Sequence, residues 1–216
     1  MAERATITNA GVPVHLVAQS GFSFHHGTAK PEHLVAAAKE RGFDALALTD
    51  TNGVFGAVDF YKAAREAGIK PIIGAVVDEP RENPQRAVVL ARNRKGYSAL
   101  CRLCSARQLD ECFRLSNAIP ECAGNIIVLT DDAALARALA PHLSPCELYL
   151  KLLPPMDPET VQAAQRLTAL ADELKLNLVA ANDVCMLDAE DHDTHKLLRA
   201  IGENETIYSV KGCAPP

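Results

Sequence analysis

The stretch GFDALALTDTNGVFGAVDFYKAAREAGIKPIIGAVV, residues 42–77, changes rhythm twice. Residues 45–48 form a short, unbroken apolar run, as a strand buried on both faces requires. They lead into Thr49 and Asp50. Residues 54–67 follow at helical spacing, with Val54, Val58 and Tyr61 on one stripe, and Gly68 ends the helix. Residues 71–77 are apolar again and read as the next strand. The junctions Arg41-Gly42-Phe43 and Ala67-Gly68-Ile69 resemble each other, each leading from a helix into a strand. The unit is a strand–helix pair, and it repeats.

Working outward, residues 14–18 read as a first strand and 20–30 as a loop rich in Gly, Ser and His. Pro31 opens a helix over residues 31–41, where its missing N–H costs nothing. Leu34, Val35 and Ala38 form its apolar face. Downstream, residues 79–85 are a polar turn with two prolines, 87–91 a strand and 95–108 a helix. Residues 110–124 form a loop or a small helical insert. Strands are predicted at 125–129, 147–152 and 177–181, and helices at 131–140, 159–174 and 189–201. The helix at 159–174 turns Val161, Ala164, Leu167 and Leu174 inward. Seven alternating units predict an α/β chain folded as a parallel barrel, a single domain over residues 1–201. Residues 202–216 end on Ala-Pro-Pro and read as a linker-like tail. In such a barrel chemistry sits at the strand carboxyl ends. Those ends are residues 17–20, 49–52, 74–76, 91–93, 129–131, 152–153 and 182–185.

The totals exclude several classes. No Trp, four Tyr and six Phe leave the core to Val, Ile, Leu and Ala. Net charge is −5, from 22 basic and 27 acidic side chains, with no basic stripe, so direct DNA binding by this segment is not expected. Seven cysteines, an odd number at irregular spacing, read as reduced thiols rather than a disulfide framework. No stretch has the length or apolarity of a membrane span or signal peptide, and a cytoplasmic location is expected.

Residues 42–77 are similar to the second and third motifs of the PHP (polymerase and histidinol phosphatase) domain of bacterial C-family DNA polymerases, the DNA polymerase III α and error-prone α subunits. SGFSFHHGTAKPEHLV (residues 20–35) resembles the segment after that family's first motif. VVLARNRKGYSALCRLCS (residues 88–105) resembles its strand–turn–helix with an Asn-x-x-Gly-Tyr turn, and LVAANDVCMLDAEDHDTHKLLRAI (residues 178–201) its last motif and following helix. The resemblance covers nearly the whole chain, in order. It implies a PHP-type distorted (β/α)7 barrel.

Active members of the family hold up to three metal ions that activate water for phosphoester hydrolysis. Carried over position by position, the resemblance implies a degenerate site here. The first motif, His-x-His, falls on Val17 and Gln19. The ligand before a glycine falls on His26, just before Gly27. Thr-Asp-His becomes Thr49-Asp50-Thr51. A glutamate position falls on Val76, a histidine position on Arg86 and another near Pro155. Asn-Asp-x-His becomes Asn182-Asp183-Val184-Cys185. His26 and Asp183 keep a donor, and Asp50 is an outer-shell group. These three are the vestigial metal candidates. An apolar side chain at 17 or 76 cannot bind a hard cation. No catalytic metal and no other cofactor is therefore expected.

Other clusters carry a sharp and a bland reading. His25-His26 is either a metal pair or a polar loop. Asp50 and Asp183 either share an ion or bond to nearby backbone. Cys101-x-x-Cys104, with Cys112 and Cys122, has a spacing unlike a zinc knuckle pair. Cys185 as a nucleophile lacks a histidine at a recognisable partner position. Asp188, Glu190, Asp191 and Asp193 suit a helix amino end, with His192 and His195 beside them.

The resemblance implies the amino-terminal PHP domain of a DNA polymerase III alpha-type subunit, replicative or error-prone, itself inactive. It would serve as a scaffold for the remaining polymerase domains, and as a docking surface for a proofreading exonuclease or sliding-clamp-associated replication proteins. The alternative is a free-standing metal-dependent phosphoesterase of the same superfamily, with ligands rearranged around His26, Asp50 and Asp183. A third reading is an interaction module unrelated to replication.

Overall fold

The computed structural model describes residues 14–154 and 156–210. Six strands form one sheet in chain order: β1 (Ala45–Thr51), β2 (Lys70–Asp78), β3 (Arg86–Ala91), β4 (Ile126–Thr130), β5 (Leu148–Leu152) and β6 (Asn177–Ala180). Among the described residues seven α-helices accompany them: α1 (Pro31–Glu40), α2 (Ala57–Ala67), α3 (Arg94–Leu109), α4 (Leu115–Ala118), α5 (Ala133–Leu139), α6 (Pro158–Leu174) and α7 (His192–Glu203).

The expected first strand, residues 14–18, closes the ring without becoming a regular strand. Its backbone groups bond alternately to the two edges of the sheet. Ala47 N–H donates to the His15 carbonyl and Thr49 N–H to Ala18, at 2.9 and 2.8 Å. On the other side Gln19 N–H donates to Val184 and Val184 N–H to Val17, at 2.8 and 3.1 Å. Two isolated parallel bridges result, one to β1 and one to the segment after β6. The sheet thus curls into a barrel-like fold.

The barrel is not wholly parallel. β3 runs antiparallel to both β2 and β4, while the other pairs are parallel. Residues 79–85, the turn before it, are too few for the crossover that a parallel neighbour needs. Inversion carries Arg86, the start of β3, to the same rim as the ends of its neighbours, because Asp78 pairs with Arg86. Residues 91–93, expected at that rim, lie at the opposite end.

Alternation along the strands sorts the core. One set of residues packs outward under helices: Ala75, Val77, Ala87, Val89, Val128, Leu148 and Leu150 meet Leu100 and Leu103 of α3 and Leu135 of α5. Leu46 and Leu48 meet Leu34 and Val35 of α1 and Phe60 of α2. Each fully buried Leu or Phe here contributes roughly 1.5–3 kcal/mol. The other set, Val17, Ala47, Val76, Val88, Leu129 and Ala181 with Tyr149 and Val179, forms a separate cluster without helix members and fills the barrel interior.

Two helix faces differ from the sequence expectation. α2 begins at Ala57 and buries Ala57, Phe60 and Ala64, while Val58 and Tyr61 are exposed. The expected stripe is rotated by one residue, roughly 100° around the helix. α6 buries Leu167, Leu170 and Ala171 and leaves Val161 exposed. Residues 110–124 hold α4 and a 3-10 turn, Pro120–Cys122. α7 runs to Glu203, and Val210 is buried, so packing extends into the stretch read as a tail. Among the described residues, no helix is long and apolar enough to cross a membrane.

Candidate functional site

Two residues beyond the interior apolar layer, the closing segment and the strands from β2 to β6, or the residues that directly follow them, present a polar side chain on the same face. Val17 is followed by Gln19, Val76 by Asp78, Leu129 by Asp131, Tyr149 by Lys151 and Ala181 by Asp183. On inverted β3, Val88 is preceded by Arg86. Gln19, Asp78, Arg86, Asp131, Lys151 and Asp183 line a cavity of about 840 Å³ whose apolar floor is Val17, Val76, Val88 and Leu129. His26, Thr51, Cys185, and His195 and Arg199 of α7 are also part of its wall.

Charge in this rim is largely paired internally. Lys151, only 4% exposed, lies between two carboxylates: its Nζ is 3.0 and 3.1 Å from the two oxygens of Asp183 and 3.3 Å from Asp131. Arg86 Nη2 approaches Asp183 at 3.9 Å. Asp78 accepts from Arg107 Nε at 2.8 Å and from Asn52 Nδ2 at 3.0 Å. Arg199 pairs with Glu203 one turn along α7.

His26 meets the same helix. Arg199 Nη1 is 3.2 Å from its Nδ1 and 3.4 Å from its Nε2. Burial lowers the pKa of His26 to about 4, and the Arg199 guanidinium adds to that shift. The His26 carbonyl lies 2.8 Å from Nδ1 of His195. A carbonyl only accepts, so Nδ1 of His195 carries a hydrogen. The other nitrogen, Nε2, lies 3.9 Å from the Cys185 sulfur. The fold thus brings to Cys185 a histidine that its own sequence neighbourhood did not mark.

Of the three vestigial candidates, His26 and Asp183 line the cavity and Asp50 does not. Asp50 shares the outward face of β1 with Leu46 and Leu48. Its carboxylate accepts from Ser20 N–H at 2.7 Å, from Ser20 Oγ at 3.0 Å and from Ser23 Oγ at 2.8 Å. Burial pushes its pKa up, against the lowering effect of these bonds. Asp50 therefore braces the loop over residues 20–23. Gln19 and Thr51, at expected ligand positions, bond to each other at 3.0 Å. The position near Pro155 lies outside the described residues. Cys104 and Cys122 are buried in the helix-side core, and burial raises the Cys104 thiol to about 11. Cys112 is exposed.

A cluster of divalent ions does not suit these donors. Two positions where the family resemblance implies ligands are valines in the cavity floor, Asp183 already faces an ammonium, and both His26 nitrogens face a guanidinium. Among the described residues, no three His, Cys, Asp or Glu side chains group closely enough to hold a metal ion. The residues missed from sequence are Asp78, Asp131, Lys151 and Arg199. For the strand residues, their one signal was a charge two places beyond an inward apolar residue.

The strand order, the closing segment and the polar rim define a class. The chain belongs to the PHP domain family, which matches it over residues 15–134. Particular relatives narrow the likeness. DNA polymerase III subunit alpha of Halalkalibacterium halodurans is 30% identical over 220 residues, which cover 92% of this chain and 19% of that protein. An error-prone DNA polymerase of Anaeromyxobacter sp. (strain K) is 42% identical over 96 residues, covering 43% of this chain and 8% of that one. The chain thus spans about a fifth of the length of the polymerase III alpha relatives it matches. Among solved structures, a two-domain Bacteroides vulgatus protein containing a predicted PHP-like metal-dependent phosphoesterase superposes with a TM-score of 0.57 at 15% identity. That likeness covers 91% of this chain and 60% of the other, and speaks for the fold alone.

Proposed function

We propose that this chain is the amino-terminal PHP domain of a bacterial DNA polymerase III alpha-type subunit, without hydrolytic activity of its own. Nucleotidyl transfer would belong to polymerase regions beyond this segment. The domain would act as a scaffold for those regions and as a docking surface for replication partners such as a proofreading exonuclease. The kinship with polymerase alpha subunits over 92% of the chain supports the placement. One observation carries the loss of activity: Val17 and Val76, at two expected ligand positions, form the apolar floor of the cavity. Hydrolysis by the family's metal cluster needs anionic and imidazole donors at those places to generate hydroxide.

Metal content tests this reading against the free-standing phosphoesterase. The chain, purified without chelator, should carry well under one equivalent of Zn, Mn or Fe and should leave a phosphodiester substrate uncut. Two or more equivalents per chain, with metal-dependent cleavage, would establish the phosphoesterase instead.

A further inference from the structure

We infer that the ammonium of Lys151 is a resident cation of the barrel mouth, holding Asp131 and Asp183 together where the family's metal ions would otherwise balance carboxylate charge. The inference deepens the metal-free reading above and rests on it.

Register makes the arrangement. β5 lies between β4 and β6, and both neighbours run parallel to it. Thr130 pairs with Leu150, so the next residues along, Asp131 and Lys151, stand side by side. Lys151 pairs with Val179, and the chain continues inward-facing through Ala181 to Asp183. Lys151 shares the inward face of β5 with Tyr149, whereas Leu148 and Leu150 face the helices. Its stem is therefore enclosed by the barrel and only the ammonium reaches the rim. It is the buried member of the triplet, at 4% exposed against 30% and 39% for the two carboxylates. A buried ammonium persists where opposite charge is at hand, and two nearby carboxylates need a cation between them. Arg86 adds a more distant positive charge near Asp183.

If one internal cation balances two carboxylates, its removal should open a place for an external one. Manganese(II) is the apt probe, because carboxylate oxygens suit it. The unaltered chain, Lys151→Met, and the triple variant Lys151→Met/Asp131→Asn/Asp183→Asn are compared by thermal unfolding, with chelator and with rising Mn2+. The unaltered chain should not respond to Mn2+. Lys151→Met should lose several degrees of Tm, and Mn2+ should restore most of it, the Tm rising with the logarithm of metal concentration. The triple variant removes the whole charge triplet, so it should regain a Tm near that of the unaltered chain and ignore Mn2+. If Lys151→Met does not fold alone, Mn2+ during refolding should recover it, and the triple variant should fold without metal.

A Lys151→Met chain as stable as the original, or one that gains nothing from Mn2+, overturns the inference while leaving the metal-free reading intact. A triple variant that fails to fold, or that gains as much from Mn2+, also overturns it. A Mn2+ response in the unaltered chain is a separate failure, since it removes the metal-free reading and this inference with it.

Discussion

His26 shows how one side chain changes character when its neighbours are cations. The sequence marks it as a surviving ligand, and a neutral imidazole is what a metal needs. Here burial and Arg199 hold the ring neutral down to about pH 4. In the unfolded chain it would titrate at 6.5. Between these values the unfolded chain binds more protons, so stability rises with pH across the window. The contribution of the neutral ring is complete above pH 6.5 and disappears as pH falls towards 4. His26→Gln keeps a polar side chain without that titration. Its Tm should therefore decline less than that of the unaltered chain as pH falls from 6.5 towards 4, in scans at constant ionic strength. Parallel declines would mean that His26 does not carry the effect. Asp50 makes the complementary point. A carboxylate at a strand end looks like a ligand until strand parity turns it outward onto Ser20 and Ser23.

At the scale of elements, the Asn-x-x-Gly-Tyr turn at residues 93–97 acquires a physical reason. Asn93 is the N-cap of α3, its side-chain oxygen accepting from Gly96 N–H at 2.9 Å. Gly96 sits against the chain entering β4, and a Cβ there would meet the Asn125 carbonyl oxygen at 2.0 Å. The first contact is local and the second is tertiary, so they should cost differently. Asn93→Ala should lose about 1 kcal/mol, the usual value of an N-cap. Gly96→Ala should lose distinctly more, because backbone on one side must move. Urea unfolding of both variants gives the comparison, and equal losses would contradict the close approach. The glycine junctions hold as read: Gly42 and Gly68 have φ of 76° and 74°, the left-handed conformation at helix ends. The reversal of β3 was not read along the chain: strand–helix alternation on either side hid it, although residues 79–85 are too few for a crossover.

The whole molecule is closed by its residues 14–20 and filled by two apolar layers, one inside the barrel and one beneath the helices. Its rim is largely neutralised by its own side chains. On the metal-free reading proposed above, no free energy of metal binding is linked to folding, and excess chelator should leave both Tm and unfolding cooperativity unchanged. A fall of many degrees would reveal a bound ion that the rim requires.

Strand–helix alternation, glycine stops and the proline-led α1 were readable along the chain, because each depends on near neighbours. The valines at 17 and 76, where the family resemblance implies ligands, were readable only through that resemblance. The antiparallel β3, the outward turn of Asp50, the meeting of His195 with Cys185 and the place of Lys151 between Asp131 and Asp183 needed the folded chain. Strand register and direction join residues tens of positions apart, and no local period encodes them. A lysine one step from the end of an apolar strand looks like an ordinary solvent-facing charge. Only the neighbouring strands, carrying their carboxylates to the same height, make it the cation between Asp131 and Asp183.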